Sequence, residues 1–108
     1  MNDQEFRDHA DLALKNLEKA LLRAGDQHGF ETDSNQGALT VEFEDPPAKF
    51  VVSPNSPVRQ IWVSARVQSF KLDWDSDRNE FVLGGDSRSL MQLLGDLAGE
   101  QIGGKVQL

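Results

Sequence analysis

The sequence predicts an α+β fold in which two helices pack on one face of an antiparallel sheet of about six strands. Three observations carry that expectation. Apolar residues recur at three- and four-residue steps near both ends of the chain, whereas between the ends they alternate with polar residues at every second position. Clusters of Gly, Pro, Asn, Asp and Ser interrupt the alternating stretch at short intervals. Each predicted strand has one apolar face, so one side of the sheet needs cover and two amphipathic helices supply it.

Residues 3–24 read as the first helix, because Phe6, Ala10, Ala13, Leu14, Leu17, Ala20, Leu21 and Ala24 form one stripe and Gly25 follows as a stop. Lys15, Lys19 and Arg23 lie toward its C-terminal end, where cations complement the helix dipole. Residues 29–33 read as a weak first strand and Ser34-Asn35-Gln36-Gly37 as a hairpin turn. Leu39, Val41 and Phe43 then define a strand that Asp45-Pro46-Pro47 breaks, and residues 49–52 form a third. Ser53-Pro54-Asn55-Ser56-Pro57 reads as a two-proline loop. It is followed by a strand over 58–67 whose apolar face is Ile61, Val63, Ala65 and Val67. Phe70, Leu72 and Trp74 alternate with Lys71, Asp73 and Asp75. A turn over 75–79 leads to a short last strand over 80–83. Asp86 or Ser87 is then available to cap a second helix bearing Leu90, Met91, Leu93, Leu94, Leu97 and Ala98, which ends near 99–103. Thr40, Glu42, Gln60, Trp62, Ser64, Arg66, Lys71 and Asp73 are expected on the uncovered sheet face.

The length of 108 residues suits one domain spanning 1–108, with a single core. A formal charge of -7 argues against nucleic acid or an anionic membrane as the main partner and favours cations or a basic protein surface. The absence of cysteine removes disulfides, thiolate ligands and Cys nucleophiles together. Residues 1–20 are acidic at the start and amphipathic, unlike a signal or transit peptide, and no apolar run approaches the roughly 20 residues that span a bilayer. A cytoplasmic protein is expected.

Two features suggest chemistry. Trp62 falls in the polar row of its own strand, beside Gln60, Ser64 and Arg66. It is either a cross-strand plug, a Trp lying under a loop, or a Trp held out for a partner, as binding hot spots often are. Asp3, Glu5, Asp8 and Asp11, with Glu18 further along, edge the first helix, and Asp26, Glu31 and Asp33 follow. Such carboxylates can hold hard cations weakly, and they can equally form a solvated helix face. Catalysis is not expected: the two histidines lie far from any nucleophile elbow, and no glycine-rich phosphate cradle is present. Asp73-Trp74-Asp75-Ser76-Asp77 opens like a calcium loop but has Arg78 and Gly84 where Gly and Glu are required.

Gln60-Ile61-Trp62-Val63-Ser64, preceded by Asn55-Ser56-Pro57 and followed by Phe70-Lys71-Leu72-Asp73-Trp74, resembles the signature stretch of the frataxin family. The opening residues 1–6, the strand Leu39-Thr40-Val41-Glu42-Phe43 and the segment 89–95 also resemble its bacterial, CyaY-like members, so the similarity covers nearly the whole chain. The resemblance implies an accessory protein of iron–sulfur cluster assembly that binds the complex of cysteine desulfurase and iron–sulfur scaffold protein. It implies a partner contact at Trp62 on the sheet face with Asn55, Gln60 and Lys71 beside it, and Ser64, in the same polar row, completes the expected partner-binding set. It also implies weak ferrous or ferric iron binding, with other divalent cations admitted, through the ridge acids Glu18, Glu31 and Asp33, or displaced toward Asp3, Asp8 and Asp11. The alternative implied role is an iron chaperone or storage protein, including the ferroxidase activity attributed to some relatives. The chain departs from the family pattern at Ser53, Asn55 and Lys71, where Asn, Gln and Arg are more usual. It departs further at Lys19, Leu22, Arg23, Gly25, Gln27 and Gly29, where relatives often carry acids. Each added cation near the ridge opposes iron by roughly 1 kcal/mol.

Overall fold

The computed structural model describes every residue except Asp45. Helix α1 spans Asp3–His28. It is followed by strands β1 (Glu31–Asn35), β2 (Ala38–Glu44) and β3 (Pro47–Asn55), a 3-10 turn (Ser56–Val58), strands β4 (Gln60–Ala65), β5 (Gln68–Asp75) and β6 (Glu80–Leu83), and helix α2 (Leu90–Ile102). The six strands form one antiparallel sheet in sequence order, each paired with the next. The core packs the apolar stripes of α1 and α2 against Leu39, Val41, Phe43, Phe50, Val52, Ile61, Val63, Ala65, Leu72 and Phe81 on one face of that sheet. Among the described residues, the opposite face carries no helix, as the single-sided alternation predicts.

Several boundaries differ from the sequence reading, each for a local reason. Helix α1 does not stop at Gly25 but runs to His28, closed by Gly29 at φ +81. Gly25 is buried inside it. The first strand consequently starts at Glu31, and Phe30 packs into the core from the connection. The hairpin between β1 and β2 turns through Gln36 and Gly37, both at positive φ, as a two-residue type I′ turn does. Strand β3 does not end at Val52. It continues through Pro54, which pairs with Ile61 of β4, while the pairing with β2 stops at Val52. Residues 53–55 thus have a neighbour on one side only, the position in which a strand tolerates proline. The start of the predicted 45–47 break, Asp45, lies outside the described residues; Pro47 already opens β3.

Strand β4 ends at Ala65, so Val67 does not join the apolar face. Arg66 adopts φ +60 and reverses the chain, which leaves Val67 fully exposed at the tip and removes Arg66 from the open-face row. Val58 lies in the 3-10 turn, outside the strand. Neither Asp86 nor Ser87 caps α2; the N-cap is Ser89, whose hydroxyl accepts from Gln92 N while the Gln92 side chain accepts from Ser89 N. Asp86 instead bonds Arg88, whose backbone N–H and guanidinium hold its carboxyl below the usual carboxylate range.

Candidate docking face

The central strands β3, β4 and β5 assemble the candidate surface by register alone. Residues of one parity point into the core, and the intervening ones point outward. Across the outward face, Asn55, Gln60 and Asp73 are in register. The next row is Ser53, Trp62 and Lys71, and the one after it is Val51, Ser64 and Ser69. The sequence-predicted set of Asn55, Gln60, Trp62, Ser64 and Lys71 therefore gathers within three adjacent rows.

Trp62 is 37% exposed and forms the centre of this surface. Its indole Nε1–H donates to Gln60 Oε1 at 3.0 Å, and Gln60 Nε2 donates to Asp73 Oδ1 at 3.0 Å. The Lys71 ammonium lies 5.0 Å from the Trp62 ring centroid, a cation–π contact. Val51, Ser53, Ser64 and Ser69 border a shallow hollow beside the ring. The expected contact set omitted Val51, whose signal was the phase set by Phe50 and Val52, and Asp73, which was expected on this face but whose pairing with Gln60 follows from the β4–β5 register.

The second tryptophan has the opposite environment. Trp74 lies at the helix side, with the His9 imidazole stacked on it at 3.8 Å between centroids and Phe81 edge-on at 5.1 Å. His28 lies parallel to Phe30 at 6.5 Å, at the far end of α1.

The six candidate metal ligands are dispersed. Asp3 is paired to Arg59 at 3.1 Å, and Asp8 accepts from Gln4 Nε2 at 2.9 Å. Asp11 and Glu18 border a small groove with Lys15 between them. Glu31 and Asp33 lie on β1, in register with Glu42 and Thr40 of the outward face, and Glu42 in turn faces Lys49. Among the described residues, no three His, Cys, Asp or Glu side chains are gathered to hold an ion. No helix of the described residues is long and apolar enough to cross a membrane.

The family model described as Frataxin-like domain matches residues 1–104. The iron-sulfur cluster assembly protein CyaY of Dechloromonas aromatica is 33% identical over 108 residues, covering 100% of this chain and 99% of that protein. The protein of the same name from Pseudomonas syringae pv. tomato is 27% identical over 105 residues, covering 95% and 91%. Among solved structures, the frataxin of Psychromonas ingrahamii superposes with a TM-score of 0.76 at 20% identity, covering 99% of this chain and 97% of that one. The trimeric frataxin of the yeast Saccharomyces cerevisiae gives a TM-score of 0.73 at 20% identity, covering 88% and 79%. These two structures share the fold, and the family model adds a sequence match over nearly the whole chain. The chain belongs to the frataxin family, and resembles over its full length the bacterial members named CyaY.

Proposed function

We propose that this chain is a non-enzymatic accessory protein of iron–sulfur cluster assembly that docks on the cysteine desulfurase–scaffold complex through the sheet face centred on Trp62. Relatives bearing the name iron-sulfur cluster assembly protein support the process. The observation that carries the docking reading is the tethering of an exposed indole outside the core, with its N–H on Gln60 and a cation over its ring. A core plug would leave its ring covered and would not need such bracing.

The test is a pair of measurements on Trp62→Ala. Affinity for the desulfurase–scaffold complex should fall by about 2 kcal/mol or more, the usual loss at a hot-spot Trp. Folding stability should change by less than about 1 kcal/mol. Unchanged affinity in a folded variant rejects the reading.

A second reading, iron delivery or storage, has one favourable observation: Glu31 faces Glu42 directly across the β1–β2 pair. Opposed carboxylates repel, and a cation between them relieves that repulsion. Ferrous iron, or another divalent cation, would be cargo here, held weakly, with Asp33 the nearest further acid on the same strand face; Asp11 and Glu18 lie on α1, on the other side of the sheet. Asp3 and Asp8 already have Arg59 and Gln4 as partners, which lessens their part. Anaerobic ferrous titration should move the amide signals of Glu31, Asp33 and Glu42 saturably; a flat titration removes this reading and leaves the docking proposal intact.

A further inference from the structure

We propose that Asp73 is a positioning residue for docking: through the Gln60 carboxamide it fixes the orientation of the Trp62 indole. The inference rests on the docking reading above and assigns a role to a residue outside the predicted contact set. It also changes the role of Gln60 from partner contact to brace.

The chemistry of the three side chains leaves one arrangement. An indole N–H can only donate and an ionised carboxylate can only accept, whereas a carboxamide offers one acceptor oxygen and one donor nitrogen. Gln60 stands between the two, 3.0 Å from each. Only the orientation with Oε1 toward Trp62 and Nε2 toward Asp73 satisfies both ends. A flipped amide would set donor against donor and acceptor against acceptor. The amide orientation therefore follows from its neighbours rather than from a free choice.

The register makes this brace rigid. Gln60 and Asp73 are direct cross-strand partners on β4 and β5, so the carboxylate is delivered by paired backbone. Trp62 follows Gln60 by two residues on the same face, and its own cross-strand partner, Lys71, covers the ring. The indole is thus held at its N–H by Gln60, itself braced from β5, and over its face by Lys71 of β5. With one of its two N–H groups on Asp73 and its oxygen accepting from Trp62, Gln60 keeps one N–H and one oxygen lone pair for a partner. Without Asp73, the flexible glutamine side chain keeps only the indole bond to hold it in place, and Trp62 is ordered less before binding. Holding it beforehand reduces the entropic loss on binding.

The experiment uses the full chain with its two tryptophans, whose indole N–H signals are distinguished by a Trp74→Phe reference. In Asp73→Ala, the Trp62 indole N–H signal should move upfield and exchange faster with solvent, with an unchanged melting curve. Affinity for the desulfurase–scaffold complex should fall about two- to tenfold, the range for one side chain left to be ordered on binding. Asp73→Asn keeps an acceptor oxygen and should restore both the indole signal and most of the affinity. An indole signal that does not move in Asp73→Ala overturns the proposal. So does an Asp73→Asn variant that binds as poorly as Asp73→Ala, because Asp73 would then act by its charge. If Trp62→Ala binds normally, the docking reading fails by itself, and the indole signal still decides whether Asp73 orients the ring.

Discussion

At Gly25 a methyl group would meet the Phe30 carbonyl oxygen at 2.4 Å, a separation no real Cβ contact sustains. The glycine is there for space, since the chain leaving α1 folds back over the helix it has just left. In an exposed helix interior, Gly→Ala gains about 1 kcal/mol. Here the added carbon presses on backbone, which cannot swing aside, and overpacking of this kind costs about 1–3 kcal/mol. Gly25→Ala is therefore expected to lower stability by roughly 1 kcal/mol or more, read as a lower urea midpoint at constant slope. A stabilised variant would show that the helix-to-strand connection yields easily. The sequence contains both Gly25 and Gly29, and the apolar stripe fades after Ala24, so the first glycine looks like the helix end. What separates them is a contact with Phe30 that periodicity does not encode. Trp62 is the opposite case: its phase within a six-residue strand places it outside the core with no tertiary information.

Among the elements, type and order were legible because the period changes from near four to two and back. The ends were less legible, because they depend on hydrogen bonds that compete locally. Before α2 the expected cap was Asp86 or Ser87, whereas the cap is Ser89; all three are small polar residues. Asp86 is occupied by Arg88, which also reaches Asp96 on the helix at 3.1 Å. Ser87 sits at φ +61, in the left-handed region, and closes the turn by donating its N–H to Leu83 O. Ser89 alone has the extended backbone and the reciprocal partner Gln92 that a capping box requires. Two substitutions should therefore act with opposite sign. Ser89→Ala should lower stability by about 1 kcal/mol. Ser87→Gly should raise it slightly, up to about 0.5 kcal/mol, since glycine adopts that φ without a Cβ clash. Equilibrium unfolding of both variants checks this, and equal losses would return the cap to Ser87. The same competition explains β3: a proline pair suggested a loop, but a strand with one free side accommodates Pro54.

For the whole molecule, covering only one face of the sheet sorts residues by strand parity into those that hold the fold and those free to recognise. Ile61 and Leu72 are fully buried, whereas their neighbours Trp62 and Lys71 face outward. The two tryptophans fall on opposite sides of this division. Trp74 has the core parity of Leu72, stacks on His9 of α1 and meets Phe81 edge-on, so it joins helix to sheet. Trp62 touches no helix residue in any of its polar or aromatic contacts, all of which lie on β4 and β5. Exchanging each for alanine should thus give crossed outcomes. Trp74→Ala should cost about 2–4 kcal/mol of stability, a little under the roughly 3–5 kcal/mol of a fully buried aromatic because Trp74 is half-buried. At a temperature where the variant is folded, its affinity for the desulfurase–scaffold complex should match that of the parent. Trp62→Ala should show the reverse, near-parental unfolding with lost docking. The parent and both variants can be compared by denaturant unfolding and by titration against the complex under one buffer. Loss of docking in folded Trp74→Ala would mean that the helix side of the molecule also meets the partner, and that the outward face is only part of the surface it uses.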